Sequence, residues 1–159
     1  MKLYIKDKIL SIRRNMSVLD ENGKAYLYVK GKAFSPTHKR RVTDLNGNTL
    51  FYIRRKFFHF LPKAFIYDAN HERIAKITRK FGLRHNFVVE GYHKALSVEG
   101  DIIAWHFSIL EEGKLIGSIS KRLVSLFGKD AFELEVDNQE DAAFLVAFIA
   151  AIDNIYDSK

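Results

Sequence analysis

The sequence contains no cysteine, two prolines and nine glycines in 159 residues. Without cysteine there are no disulfide staples, no thiolate metal sites, no cysteine nucleophile and no palmitoylation. Both prolines, Pro36 and Pro62, fall between runs of apolar residues, where they leave strands uninterrupted. No apolar run approaches the roughly 20 residues of a membrane-spanning helix; the longest, Ala142 to Ile152, has eleven. The start, Met1-Lys2-Leu3-Tyr4-Ile5-Lys6-Asp7-Lys8, alternates in polarity and has no apolar signal-peptide core. A soluble cytoplasmic protein is the expectation. What is present is apolar and aromatic matter: 47% hydrophobic residues, with thirteen phenylalanines. That suffices for a core and excludes a disordered chain. A mass of 18.4 kDa fits a single domain over residues 1–159.

Positive charge exceeds negative, with 26 Lys and Arg against 19 Asp and Glu, but unevenly along the chain. Residues 130–159 hold eight acids and one base, Lys159, which leaves 25 bases and 11 acids in the first 129 residues. Such a basic body attracts anionic lipid or nucleic acid, and it also serves plain solubility.

Most of the chain reads as short strands. Phe132-Glu133-Leu134-Glu135-Val136-Asp137 alternates cleanly and predicts Phe132, Leu134 and Val136 facing inward. Tyr26 to Val29, Leu50 to Ile53 and Ile102 to Leu110 are rich in β-branched and aromatic residues, as strands are. Three turns share a pattern: Asp20-Glu21-Asn22-Gly23, Asp44-Leu45-Asn46-Gly47 and Asp68-Ala69-Asn70-His71 recur at a step of 24 residues. Glu111-Glu112-Gly113 is a looser copy. Asn-Gly between apolar runs marks hairpins, and an even step between hairpins marks a meander of like units. The glycine position and the lack of a glutamate at the twelfth place exclude a calcium loop.

The last segment differs. Over about residues 138–156 the pattern predicts a helix with Asn138 as cap and Glu140 and Asp141 in its first turn. Ala142 to Ile152 then shows no polar face. A helix apolar all round must be enclosed, and this one is too short for a bilayer. Enclosure by the chain's own sheet remains. Eight strands leave a barrel only just filled by side chains, whereas about twelve leave room for one slim helix. The predicted architecture is a mainly β, roughly twelve-stranded closed antiparallel barrel around its C-terminal helix. The rival packs that helix between two sheets of a sandwich.

Three segments in order carry a family resemblance: Ile116-Gly117-Ser118-Ile119-Ser120-Lys121-Arg122, then Phe132-Glu133-Leu134-Glu135-Val136, then the apolar helix ending Ala151-Ile152-Asp153-Asn154-Ile155. Together they resemble the LURP-one-related (LOR) proteins of the tubby C-terminal-like superfamily over essentially the whole length. The resemblance implies a twelve-stranded barrel around a hydrophobic C-terminal helix. It implies less about activity. Tubby proteins and phospholipid scramblases act at membranes, the former through phosphoinositides. The Cys-rich and anchoring features of scramblases are missing here.

The residues that could carry chemistry are sparse. None of His38, His59, His71, His85, His93 and His106 lies three or four positions from another, so no metal site and no cofactor is expected. His106, between Trp105 and Phe107, is expected to face solvent. No nucleophile elbow, phosphate loop or zinc-protease motif occurs. A helix in the barrel also removes the usual interior pocket, so an enzyme is not expected. The basic residues do show order. Nine positions after the turn glycines Gly23, Gly47 and Gly113 stand Lys32, Lys56 and Arg122, and nine after His71 stands Lys80, with Lys30, Arg54, Arg55, Arg79 and Lys121 beside them. In a meander, strands leaving equivalent turns end at one rim. These nine residues form the candidate site for anionic phospholipid or phosphoinositide-like headgroups. Arg54 to Lys63, with Phe57, Phe58 and Phe60, is the candidate membrane-touching loop. The plainer account is that Lys and Arg end strands while the Phe residues are core, which leaves a protein-interaction scaffold. Nucleic acid is disfavoured, because Arg79-Lys80-Phe81-Gly82-Leu83-Arg84 lacks the order of an RNP motif.

Overall fold

A computed structural model of the chain describes residues 1–7, 15–32, 35–56, 61–80, 86–124 and 129–156. The alternating segments form twelve antiparallel strands. In chain order these are β1 Lys2–Asp7, β2 Met16–Leu19, β3 Ala25–Gly31, β4 Arg40–Thr43, β5 Thr49–Lys56 and β6 Lys63–Asp68. There follow β7 Arg73–Lys80, β8 Asn86–Gly91, β9 Leu96–Asp101, β10 His106–Glu111, β11 Lys114–Val124 and β12 Lys129–Val136. Each strand pairs with the next, except at one place, and β1 returns to pair with β12 (Leu3 opposite Leu134). One side chain in two points inward. Leu3, Ile5, Val18, Val42, Ile53, Ile77, Ile109, Ile119 and Leu134 are all essentially inaccessible. Phe132 and Val136 follow the same alternation, Val136 buried and Phe132 half-buried.

The exception is a seam. The sheet ends at β8 and β9, although these are joined by a turn of four residues, 92–95. Tyr92 N–H donates to Ile74 O (3.2 Å) and Glu112 N–H to Ala95 O (2.8 Å). Each strand thus keeps pairing with its other neighbour instead of with its hairpin partner. The barrel is nearly closed, where full closure was expected. Beside the gap the inward residues Phe87, Val89, Leu96 and Val98 are only half-buried.

The barrel is filled by α1, Ala142–Tyr156. A 3-10 turn, Gln139–Asp141, precedes it, and Asn138 Oδ1 accepts from Glu140 N–H (3.2 Å). The cap stands as read from the sequence, but the first turn is tighter than an α-helix. Eight successive residues, Leu145 to Ile152, are at most 1% exposed. At 3.6 residues per turn that run covers every face. The helix is therefore sheathed all round, which the sandwich alternative would not require. Phe144 meets Phe51 edge-on (6.1 Å between centroids) and Phe148 lies 6.4 Å from Phe107. Each large side chain so buried contributes about 1.5–3 kcal/mol. Ala147, Ala150 and Ala151 keep the helix slim enough for its sheath.

The three Asp turns are one structure repeated. In each, the aspartate Oδ1 accepts from the amides two and four residues on: Asn22 and Lys24, Asn46 and Asn48, Asn70 and Glu72, all at 2.8–2.9 Å. Each turn follows a register shift, between Val18 and Leu19, Val42 and Thr43, and Ile66 and Tyr67. Gly23, Gly47 and His71 hold the positive φ that closes the turn, as Gly113 does in the looser copy. One segment departs from its predicted strand. Ile102 to Trp105 form a turn, with Asp101 Oδ1 accepting from Ile103 N–H (2.9 Å) and Ala104 N–H (3.0 Å). Trp105 takes φ 53° to leave it. A carboxylate before the segment outweighs the strand propensity within it.

Candidate functional site

The repeated turns fix where the basic residues lie. Because neighbouring strands are antiparallel, β3, β5, β7 and β11 all run from the turn end of the barrel to the opposite end. Lys30, Lys32, Arg54, Arg55, Lys56, Arg79, Lys80, Lys121 and Arg122 stand in or just past the closing residues of those strands. They therefore share one end of the molecule. The Arg122 side chain and Phe57, Phe58 and Phe60 lie outside the described residues.

Strand alternation then divides the group. Lys30, Arg54, Lys56 and Lys80 are exposed on the outer wall, and Lys32 and Lys121 are exposed at the rim. Arg55 and Arg79 follow the inward residues Ile53 and Ile77, and both are half-buried. The Arg79 guanidinium lies 5.2 Å from the centre of the Tyr156 ring. Arg40, 3% exposed, also turns inward, its Nη1 donating to Asp153 Oδ2 at 2.7 Å. Arg40 and Arg79 thus meet the C-terminal end of α1, where backbone carbonyls present partial negative charge. These two serve the helix, while the outward cations face solvent.

Five outward cations gather in an open groove of about 590 Å³ across the ends of β3, β4 and β5. Lys30, Lys32, Lys39, Arg41 and Arg54 line it, with Asn15 and Tyr52. A second lobe of about 370 Å³ shares Lys32, Lys39 and Arg54 and adds Ser35 and Thr37. Sheet register sets the spacing. Lys30 stands opposite Arg41, and Arg41 opposite Tyr52. Lys32 N–H donates to Lys39 O (2.9 Å), which continues the ladder one step further. Strands lie about 4.8 Å apart and same-face residues about 7 Å apart along a strand. Two rows of positive charge result.

Residues 37 and 38, beside Lys39, are tied to their neighbours. Arg55 N–H donates to Thr37 O (2.9 Å), and Asn154 Nδ2 of the helix donates to His38 O (2.9 Å). Asn15 Oδ1 accepts from Gly31 N–H (3.0 Å). His71 stacks on Tyr52 (4.3 Å), and the Arg54 guanidinium lies 5.6 Å from the Tyr67 ring centre. No carboxylate lines either lobe, and none of the five cations is paired to one among the described residues. Like charges about 5 Å apart repel by close to 1 kcal/mol even in water, so an anion seated between them relieves the groove.

Lys39 and Arg41 escaped the count from turn residues, which samples only outgoing strands. The signal was the run Lys39-Arg40-Arg41 at the start of an incoming strand. Lys80 and Lys121 are on the same rim but four strands from β3 in either direction, outside the groove. Among the described residues no three His, Asp or Glu gather in a metal-ligand set, and no helix is long and apolar enough to cross a membrane.

The model of the LURP-one-related family matches residues 1–153. The crystal structure of a protein from Arabidopsis thaliana superposes on this chain with a TM-score of 0.66 at 17% sequence identity. The match covers 98% of this chain and 91% of that one. At such identity the likeness shows the fold alone. No curated protein matches the chain.

Proposed function

The chain belongs to the LURP-one-related family, and from that premise we propose that it is a non-enzymatic binding domain for anionic phospholipid or phosphoinositide-like headgroups. The groove of Lys30, Lys32, Lys39, Arg41 and Arg54, free of carboxylates, carries this reading. Each Lys or Arg near an anionic membrane contributes on the order of 1 kcal/mol, so five give reversible docking. The domain would work in the cytoplasm, at the inner membrane face. Because the helix occupies the barrel, binding falls to the outside.

Flotation with vesicles tests the proposal. The protein is expected to float at low salt with phosphatidylcholine vesicles that also contain phosphatidylserine or a phosphoinositide, and to stay behind with phosphatidylcholine alone. Added salt should release it, since screening shortens to about 3 Å at 1 M. Lys30→Glu with Arg54→Glu should weaken binding at least tenfold, and Lys56→Glu with Lys80→Glu should weaken it less. A protein that ignores acidic vesicles at low salt overturns the proposal and leaves a protein-interaction scaffold with an incidental basic surface.

A further inference from the structure

We infer that the barrel meets an anionic bilayer end-on, with the pole where the helix finishes facing the lipid and Ile103 as the tip that enters the headgroup layer. The inference rests on the headgroup reading above and adds an orientation and a contact to it.

Charge is segregated along the barrel axis. Asp20, Asp44, Asp68, Glu112, Asp137 and Glu140 stand at the turn end, where they outnumber the bases Lys24, Lys94 and Lys114. Lys32, Lys39, Arg54, Lys56, Lys80 and Lys121 occupy the other. Asp7 closes β1 and Asp130 opens β12 at that rim, where Asp101 is engaged by the amides of Ile103 and Ala104 and Asp153 by Arg40. Such a charge dipole turns the molecule as it approaches a negative surface. Length then selects the pose. The eight-residue strand β5 is about 27 Å long at 3.4 Å per residue, against a Debye length of about 10 Å at 0.1 M salt. End-on docking keeps the acidic turns beyond the reach of lipid charge, whereas side-on docking brings both poles to the surface together.

The basic pole also carries an apolar point. The turn Ile102–Trp105 connects β9 and β10 there, between the β7 and β11 strand ends that bear Lys80 and Lys121. Ile103 is 42% exposed at its apex. Besides the two amides held by Asp101, Trp105 N–H donates to Ile102 O (3.1 Å) and Lys121 N–H to Trp105 O (3.0 Å). The tip is held in shape before contact, so little ordering is needed on binding. Large apolar residues are exposed at the opposite pole as well, Leu45 at 55% beside Asp44 and Leu115 at 46% between acidic residues and Lys114. An anionic surface repels that pole, which makes Leu45 the natural control.

The chain has no cysteine, so Ile103→Cys and Leu45→Cys can each carry a single polarity-sensitive dye. With vesicles of phosphatidylcholine and phosphatidylserine, emission from position 103 is expected to shift to the blue and that from position 45 to stay unchanged. Ile103→Asp should weaken flotation about tenfold, as for the loss of one buried aliphatic side chain, and Leu45→Asp should leave it intact. Circular dichroism shows whether each variant is folded. Flotation without a shift at 103, or with a shift at 45, overturns the end-on pose while the headgroup reading stands. No flotation of the unaltered protein overturns both.

Discussion

Arg40, on β4, reaches through the barrel mouth to Asp153 of the helix, Nη1 to Oδ2 2.7 Å, and the same nitrogen donates to the carbonyl of Ala150 at 3.4 Å. Arg40 is 3% exposed and the Asp153 side chain 24%. The pair bolts the end of the central helix to the wall directly behind the groove, because Arg41, the next residue, points outward into it.

Removing one partner of such a pair leaves the other, largely out of solvent, without its counter-charge. Arg40→Ala is expected to cost about 3–5 kcal/mol, read as a fall in the urea midpoint. Arg40→Met combined with Asp153→Leu should recover most of the loss, since no charge is then left buried. A single-variant cost below about 1 kcal/mol would show that the pair does not anchor the helix.

Gly117, on β11, has no room for a side chain. A Cβ there would stand 2.6 Å from Leu145 Cδ1 and 2.8 Å from the Glu135 carbonyl oxygen. Gly117→Ala should destabilise by about 1–3 kcal/mol, the usual penalty of overpacking. Adding Leu145→Ala frees only the first contact. The double variant is therefore expected to remain less stable than Leu145→Ala alone in thermal unfolding.

Asp44 links the repeated turn to pH. Donation from the Asn48 side chain, helped by backbone amides, holds its carboxyl below the ordinary value of 3.8, against a smaller upward push from burial. A lowered folded value means that the stabilisation is complete above the unfolded pKa and fades as pH falls through the folded one. Asp44→Ala should lower the melting temperature at pH 7, and the difference should shrink as the pH drops below about 3.8. An unchanged difference at pH 2 would show that the turn does not depend on the charged carboxylate.

Asp141 behaves in the opposite sense. Burial first, then the neighbouring Glu111 carboxylate, raises its pKa. The folded state therefore binds the proton more tightly than the unfolded one, and stability falls as pH rises past the ordinary carboxylate value. Asp141→Asn should make the protein slightly more stable at pH 7, by a few tenths of a kcal/mol after allowance for solvent screening. That gain should disappear at pH 3. A loss of stability at pH 7 would instead show that favourable contact with the helix N-terminus dominates.

The architecture was legible where a pattern had one physical solution. A helix apolar on every face and too short for a bilayer must be enclosed, and Leu145 to Ile152 are. The 24-residue step located three turns whose aspartates make the same two bonds. Legibility failed where a local bond competed with propensity. Ile102 to Trp105 have strand composition, yet one Asp101 oxygen holds two of their amides in a turn. For the basic residues, distance from the turn gave the end of the barrel but not the face. That face was encoded in the alternation of Ile53 with Arg54 and Arg55, and of Ile77 with Arg79 and Lys80. The seam between β8 and β9 left no mark in composition, since Phe87, Val88, Val89, Leu96 and Val98 are residues that paired strands also carry.

The order of synthesis gives the enclosed helix a further significance. The staves are made before the rod they surround. β1 cannot find β12 until 127 residues have followed its first, and the sheet has nothing to wrap around before residue 142 is added. Up to that moment the nascent chain carries a row of inward valines and isoleucines with no partner, the kind of surface that draws aggregation or a chaperone. A product ending short of the helix should accumulate as insoluble material, and one that includes it should consolidate only once residues 142–156 are released.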